Sequence, residues 1–428
     1  MRTRRRLRPA LDGLDDRCLP SSLTPAQLTH AYGLDALTFT APSGATVKGN
    51  GAGTTIALVE AYHDPTVAQD LQAFDQAYNL PSAPLSIVDL GAGAPNPVWS
   101  LEESLDVEWA HAIAPGASIV VVEARSQSLA ALRAAVNTAR NIPTVDVISM
   151  SLGFPESTYH GSSTLTTPRG HTGITFVAAS GDSGLAAGSD WPAVSPDVLA
   201  VGGTTLSVGS SGQYLSEVAW RGSGGGPSRL VPEPGYQRSV ATGGKRVTPD
   251  VAFDADPNTG VEVYETSPHT GLGSWHILGG TSLGAPAWAA ILAIADQGRA
   301  LQGKGSLHGP TQTLPTLYAL PRSDFHSVAP YRPGRAAVTG LGSPDGPALI
   351  AGLVGSNTTV PLTTSGANTF AARAAHHRRA RKAVAPHHGR HAVSQAVAAA
   401  PGHRPTSVAA HTLARPTVRI ASAVGSRE

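Results

Sequence analysis

The sequence predicts an α/β fold, a mostly parallel central sheet flanked by helices on both faces. Three observations carry this expectation. Runs rich in Val and Ile recur between residues 55 and 201. Helical stretches separate them, the alternation that builds crossover units around a parallel sheet. The composition is loop-rich, with 47 Gly, 34 Pro and 14% charged residues, which suits a globular α/β body better than a helical bundle.

The elements follow in order. Residues 1–22 read as an N-terminal processing or export-type segment, and the body spans 23–355. Thr24 caps a short helix with Pro25 at its first position. Lys48 to Gly53 is a glycine-rich loop before a strand, Thr55–Glu60. A dinucleotide site needs its glycines after the strand, so that reading is set aside. A helix over 66–78, a strand near Leu85–Leu90, an acidic helix over about 101–113 and strand Ser118–Glu123 come next. Helix Leu129–Arg140 and strand Val145–Met150 follow. Strand Ile174–Ala179 ends at Ser180-Gly181-Asp182-Ser183-Gly184, and Val198–Val201 reads as another strand. Residues 221–245, rich in Gly, Pro and Ser, read as a long surface loop. Trp275–Leu278 reads as a short strand and Ala287–Ala295 as a buried helix. No internal repeat is visible. Residues 356–428 form a basic, low-complexity His/Arg/Ala/Pro tail without a sustained apolar period, expected to be disordered.

The formal net charge of +1 hides a segregation. Five arginines stand in the first eight residues and ten Lys or Arg lie beyond residue 355. The stretch between them holds 16 basic against 29 acidic side chains, a net charge near −13. An acidic body is tolerable at low pH, where carboxylates neutralise and self-repulsion falls. The tail is suited to anionic cell-surface polymers. Cys18 is the only cysteine, which excludes an intramolecular disulfide. No window approaches 18 uninterrupted apolar residues, so no transmembrane helix is expected. The N-terminal arginine run lacks the apolar core of an ordinary secretory signal. Asp16-Arg17-Cys18-Leu19-Pro20-Ser21 resembles a short element of some bacterial exported proteins, which places the chain outside the cell or in its envelope.

Ser282 is the centre of the chemistry. It follows Gly279-Gly280-Thr281 and opens an apolar run, so a hydroxyl sits on a glycine-rich turn at a helix N-terminus. Such a nucleophile has its own N–H as an oxyanion donor, supported by the helix dipole. The alternative is a serine N-cap on a core helix. No histidine stands in an evident base motif: His63, His160-Gly161-Ser162 and His171-Thr172-Gly173 lack a distinctive setting. Glu102 and Asp106 are four apart on the acidic helix and share a face. Two carboxylates that close share a proton, so one is raised and can act as a base in acid. The alternative is an ordinary exposed acidic face. Asp182 lies at a strand's carboxyl end, the sheet edge where ligands bind. Held neutral, it can donate to an oxyanion; otherwise it caps a turn.

These motifs resemble the sedolisin (serine-carboxyl peptidase) family. Glu102-x-x-x-Asp106 followed by Ala114-Pro115-Gly116-Ala117, then Ser180-Gly181-Asp182-x-Gly184, then Gly280-Thr281-Ser282-x-x-x-Pro286, stand in the family's order. Gly224-Gly225-Gly226-Pro227-Ser228, Pro249-Asp250-Val251 and Thr339-Gly340-Leu341-Gly342-Ser343-Pro344 add to the likeness, which covers about residues 23–350. The resemblance implies a subtilisin-like fold and an endopeptidase or tripeptidyl-peptidase active in acid. It makes Ser282 the nucleophile, Glu102 the general base and acid, and Asp106 its orienting partner, with Asp182 in the oxyanion hole. Glu103 is out of register to replace Glu102. Glu60 stands where some members carry a second glutamate, but Leu152 replaces their partnering tryptophan.

The same resemblance implies calcium near the C-terminus of the body, and here the sequence departs. The family's two aspartates are replaced by Ser327, beside Val328, and by Ala336. Asp324 is a possible stand-in. Carbonyls alone hold calcium poorly, so weak or absent binding is expected. Members also carry a large pro-domain, whereas only about two dozen residues precede the body in this sequence. The partners expected are polypeptide substrates, not nucleic acid, and the chain is expected to be a monomer. One rival is an α/β-hydrolase-type esterase with Ser282 in a Gly-x-Ser-x-Gly elbow and Asp324 and His326 as partners. The other is an inactive peptidase-like binding or display domain.

Overall fold

The computed structural model describes residues 22–355, apart from 92, 160, 162, 241–242 and 331–337, and the backbone of 419–420 and 423–424. The expected N-terminal segment, apart from Ser22, and the rest of the C-terminal tail lie outside the described residues. So do His160 and Ala336.

Helix α1 (Pro25–Ala31) opens the body, and Thr24 and Gln27 cap each other reciprocally. An antiparallel ribbon, β1 (Thr38–Thr40) and β2 (Thr46–Lys48), follows. Then strand and helix alternate: β3 (Thr55–Ala61), α2 (Val67–Tyr78), β4 (Leu85–Asp89), α3 (Pro97–Ile113), β5 (Ser118–Ala124), α4 (Leu129–Arg140) and β6 (Val147–Met150). Helix α3 starts one turn before the acidic stretch because Asn96 Oδ1 accepts the amides of Val98 and Trp99 ahead of a first-turn proline.

Next come β7 (Leu152–Pro155), β8 (Thr175–Ala179), β9 (Asp190–Trp191), β10 (Val198–Val208) and β11 (Tyr214–Ala219). The stretch read as a long surface loop, 221–245, instead contains β12 (Gly226–Pro232), which pairs antiparallel with β13 (Lys245–Thr248). Turn-rich composition masked a strand held by tertiary contacts. Val231 is buried, and the Gln237 side chain both donates to the Val247 carbonyl and accepts the Val247 amide. The body continues with β14 (Val251–Asp254), β15 (Val261–Thr266), β16 (Gly273–Gly279), α5 (Thr281–Ala300), α6 (Leu314–Ala319), β17 (Phe325–His326), β18 (Ser343–Pro344) and α7 (Gly346–Val354). Two short strands from the expected tail, β19 (Arg419–Ile420) and β20 (Ala423–Val424), pair with the body.

The central sheet has eight strands in the order β11-β10-β8-β6-β3-β5-β4, with β14 also alongside β10. All of its pairings are parallel except that of β11. The seven residues of β3 are all buried, as a strand covered on both faces requires. Ile56 and Leu58 join the core shared with Leu105, Trp109, Trp288 and Ile291 of α3 and α5. Ala57 and Val59 join the core shared with Leu132 and Val136 of α4. This is the expected architecture, and it fixes the site. Parallel strands end together, so Glu60, Ser151 and Asp182 gather at one sheet edge.

Candidate active site

The nucleophile candidate is set by α5. Gly280 precedes the helix with φ 103°, a conformation that other residues adopt only under strain. The helix begins at Thr281, so Ser282 occupies its first turn, and its hydroxyl is buried with no hydrogen-bond partner among the described residues. Pro286 lies inside the helix. Lacking an N–H, it leaves the carbonyl four residues earlier, that of Ser282, without its helical donor. The Ser151 hydroxyl, just past the end of β6, lies 3.2 Å from that carbonyl oxygen and 2.7 Å from Asp106 Oδ2. One side chain therefore ties the serine's backbone to α3.

The acidic face of α3 is turned inward. Glu102, Glu103, Asp106 and Glu108 are at most 1% exposed, which removes the reading of an ordinary solvated acidic face. Burial pushes Asp106 well above the usual carboxyl range, and the charge of Glu102 pushes it further, while the Ser151 hydroxyl and Glu60 act in the opposite sense. Glu60, at the end of β3, is raised by burial and then by Asp106, Glu103 and Glu102. Leu152, where a partnering tryptophan is expected, is buried on β7. Glu103 faces a different group. Its carboxyl is raised by burial, then by Glu123 and Asp64, and least by Asp106, so its leading partners differ from those of Asp106.

Asp182 follows β8 through Ser180 and Gly181. Its Oδ1 accepts the Thr281 amide at 2.8 Å and the Thr281 hydroxyl at 2.9 Å. The Thr281 oxygen in turn accepts the Gly181 amide at 3.0 Å. Asp182 Oδ2 is buried and unpartnered among the described residues. Burial holds Asp182 well above the usual aspartate range, with the Thr281 bonds lowering it and Glu102 raising it. Asp106 and Asp182 are thus each tied within one residue of Ser282 or to its own carbonyl, and Glu102 acts electrostatically on both.

Two contributors escaped the sequence reading. Ser151 has a signal in retrospect: like Asp182, it follows a buried parallel strand at the sheet's carboxyl edge. His63 also has a setting, because its Nδ1 lies 2.8 Å from Glu123 Oε2. That pair connects through Glu123 to Glu103. His171 places its Nε2 3.3 Å from the Ile142 carbonyl. His326, needed by the hydrolase alternative, stacks on Tyr214 at 3.8 Å between ring centres and approaches Tyr32.

Among the described residues, those at the family's calcium positions, Ser327 and Val328, carry no carboxylate. Ser327 is exposed, Val328 is apolar, and Asp324 bonds the neighbouring Ser323. Among the described residues no cluster of three or more His, Cys, Asp or Glu could hold a metal. Nor is any described helix long and apolar enough to cross a membrane.

A parallel sheet with a serine at the N-terminus of a buried helix defines the subtilisin class of fold, and the comparisons agree. The family model described as "Subtilase family" matches residues 92–304. Kumamolisin from Bacillus sp. (strain MN-32) is 34% identical, over 83% of this chain and 68% of that protein. Sedolisin from Pseudomonas sp. (strain 101) is 29% identical, over 56% of this chain and 46% of that protein. The solved structure of Pseudomonas sedolisin (serine-carboxyl proteinase) complexed with two molecules of pseudo-iodotyrostatin superposes with a TM-score of 0.63 at 26% identity. That match covers 77% of this chain and 97% of the other. The chain belongs to the sedolisin family of serine peptidases.

Proposed function

We infer that this chain hydrolyses peptide bonds in acid through an acyl-enzyme on Ser282. Glu102 takes the hydroxyl proton as Ser282 attacks the carbonyl carbon, then passes it to the leaving amine. Water repeats the sequence in reverse and releases the acid product. Asp106 shares a proton with Glu102 and holds it in place. Asp182 donates from Oδ2 to the oxyanion, beside the Ser282 N–H and the N-terminal end of the α5 dipole. The observation that carries this reading is the Ser151 hydroxyl between Asp106 Oδ2, at 2.7 Å, and the Ser282 carbonyl, at 3.2 Å. Its single proton serves either acceptor, which couples Asp106 to the backbone of the serine. The Ser282–Glu102 hydrogen bond that this mechanism requires forms with substrate bound, as catalytic hydrogen bonds do.

Acid activity follows from the raised carboxyls. Neutral Asp182 is a donor, and ionised Asp182 is not. The substrates are polypeptides, and the site of action is extracellular or in the cell envelope. Calcium is bound weakly or not at all. The test is hydrolysis of a quenched-peptide library at about pH 3.5 and 7.5 by wild type and Ser282→Ala, bracketing the usual carboxyl range. Cleavage confined to acid and lost in the variant is expected. Cleavage that survives Ser282→Ala overturns the mechanism, and silence at both pH values favours a binding or display domain.

A further inference from the structure

The C-terminal strands β19 and β20 are laid on two elements that flank Ser282. Arg419 and Ile420 pair antiparallel with Gly153 and Leu152 of β7. Ala423 and Val424 pair antiparallel with Gly279 and Leu278 of β16. Strand β7 begins directly after Ser151, and β16 ends three residues before Ser282. Two two-residue strands of this chain therefore pair, one on each side of the nucleophile candidate.

Both body strands offer a free edge for this. The partner of β7 in the body is β9, through Phe154 and Trp191, and that of β16 is β15. An unpaired strand edge is a template for an extended polypeptide, whose backbone supplies the bonds while pockets sort its side chains. A peptidase needs its substrate extended across the nucleophile in this way. A peptide in the β19 register runs on its amino side toward Pro155. There a cleft of about 240 Å³, lined by Pro155, Glu156, Asp190, Pro227 and Leu230 among others, can take side chains. The occupying sequence differs from the Ala/His/Arg/Pro tail around it. Val418-Arg419-Ile420 and Ala423-Val424 are β-branched or small, apart from one arginine.

We propose that strands β19 and β20 are an intramolecular occupant of the peptide-binding cleft, held along β7 and β16 on either side of Ser282, and that substrate polypeptides must displace them. This rests on the peptidase reading of Ser282. A segment of the same chain acts at an effective concentration that reaches the order of 1 mM when its linker spans the sites, so even weak pairing keeps the cleft filled against micromolar peptide.

The test separates occupancy from turnover. A fluorescent peptide of sequence 416–428 is titrated by anisotropy into two full-length Ser282→Ala chains. One carries Ile420→Pro and Ala423→Pro, which remove backbone donors from both strands. The proline-bearing chain is expected to bind the peptide at least about tenfold more tightly, since it has lost a competitor at that effective concentration. Equal affinity, or no binding to either chain, overturns the proposal. With Ser282 intact, the two proline substitutions are expected to lower KM for a peptide substrate by a similar factor without changing kcat. The unlabelled peptide should then inhibit that variant competitively. If no variant hydrolyses peptides but the binding contrast persists, the peptidase reading fails and the occupancy stands.

Discussion

Ser151 donates its hydroxyl to Asp106 Oδ2 at 2.7 Å, and the same oxygen lies 3.2 Å from the Ser282 carbonyl that Pro286 leaves without a helical donor. The contact gives the proline of the Gly-Thr-Ser-x-x-x-Pro motif a physical role: it frees an acceptor on the serine so that α5 and α3 can be joined. Ser151→Ala is expected to lower kcat about ten- to a hundredfold, since a hydrogen bond to a charged group is worth about 1.5–3 kcal/mol. Because the Ser151 bond lowers Asp106, its loss raises that carboxyl, and the alkaline limb of the pH profile should move upward. An unchanged profile would assign Ser151 a purely structural part. Pro286→Ala restores an amide to compete for the Ser282 carbonyl, leaves the Ser151 proton to Asp106, and should shift the profile in the opposite direction, by less.

Asp182 divides its two oxygens between two tasks. Oδ1 is committed to Thr281, while Oδ2 is buried without a partner among the described residues. Asp182→Ala should cost about a hundred- to a thousandfold in kcat, the usual loss for an oxyanion donor. Asp182→Asn keeps an acceptor for Thr281 and a donor that cannot ionise. It should retain more activity than the alanine variant and decline less steeply toward neutral pH. Initial rates between pH 3 and 7 check both, and identical profiles for Asn and Ala would refute the donor role.

Stability should follow the same carboxyls. Glu60, Glu103, Asp106, Glu108, Asp182, Asp254 and Asp296 are all raised, with burial the leading cause in each. Each keeps its proton in the folded chain at pH values where the unfolded chain, with carboxyls near 4, has lost it. Their contribution is therefore complete below about pH 4 and is lost as pH rises through the raised values. The melting temperature of Ser282→Ala, which cannot digest itself, should be higher at pH 4 than at pH 8. A higher value at pH 8 would contradict the burial of these groups.

Calcium removal should do little. With Ser327 and Ala336 at the positions of the family's aspartates, chelation by EDTA is expected to leave the melting temperature unchanged. A fall of several degrees on chelation, restored by added calcium, would show a site built from other donors.

The sequence by itself determined much of this protein. Buried parallel strands and helices announce themselves locally, through Val- and Ile-rich runs and caps such as Thr24 and Ser128, so α4 matches its expected bounds and α1 starts at its expected proline. Ser282, Glu102, Asp106 and Asp182 could be named as candidates because each sits in a short motif whose spacing sets its face or its turn. Only the tertiary structure decided the rest. Whether the α3 carboxylates are solvated or buried depends on β3, β5 and α5 packing over them, and no local pattern encodes that. Strand β12 was hidden in glycine- and proline-rich composition, since its pairing partner lies more than ten residues away. Ser151, a lone serine in the chain, acquires meaning only when α5 brings the Ser282 carbonyl beside it. The edges that receive β19 and β20 are likewise a product of the fold: residues 152 and 278 become neighbours of one segment because Ser151, just before β7, lies against Ser282, three residues after β16.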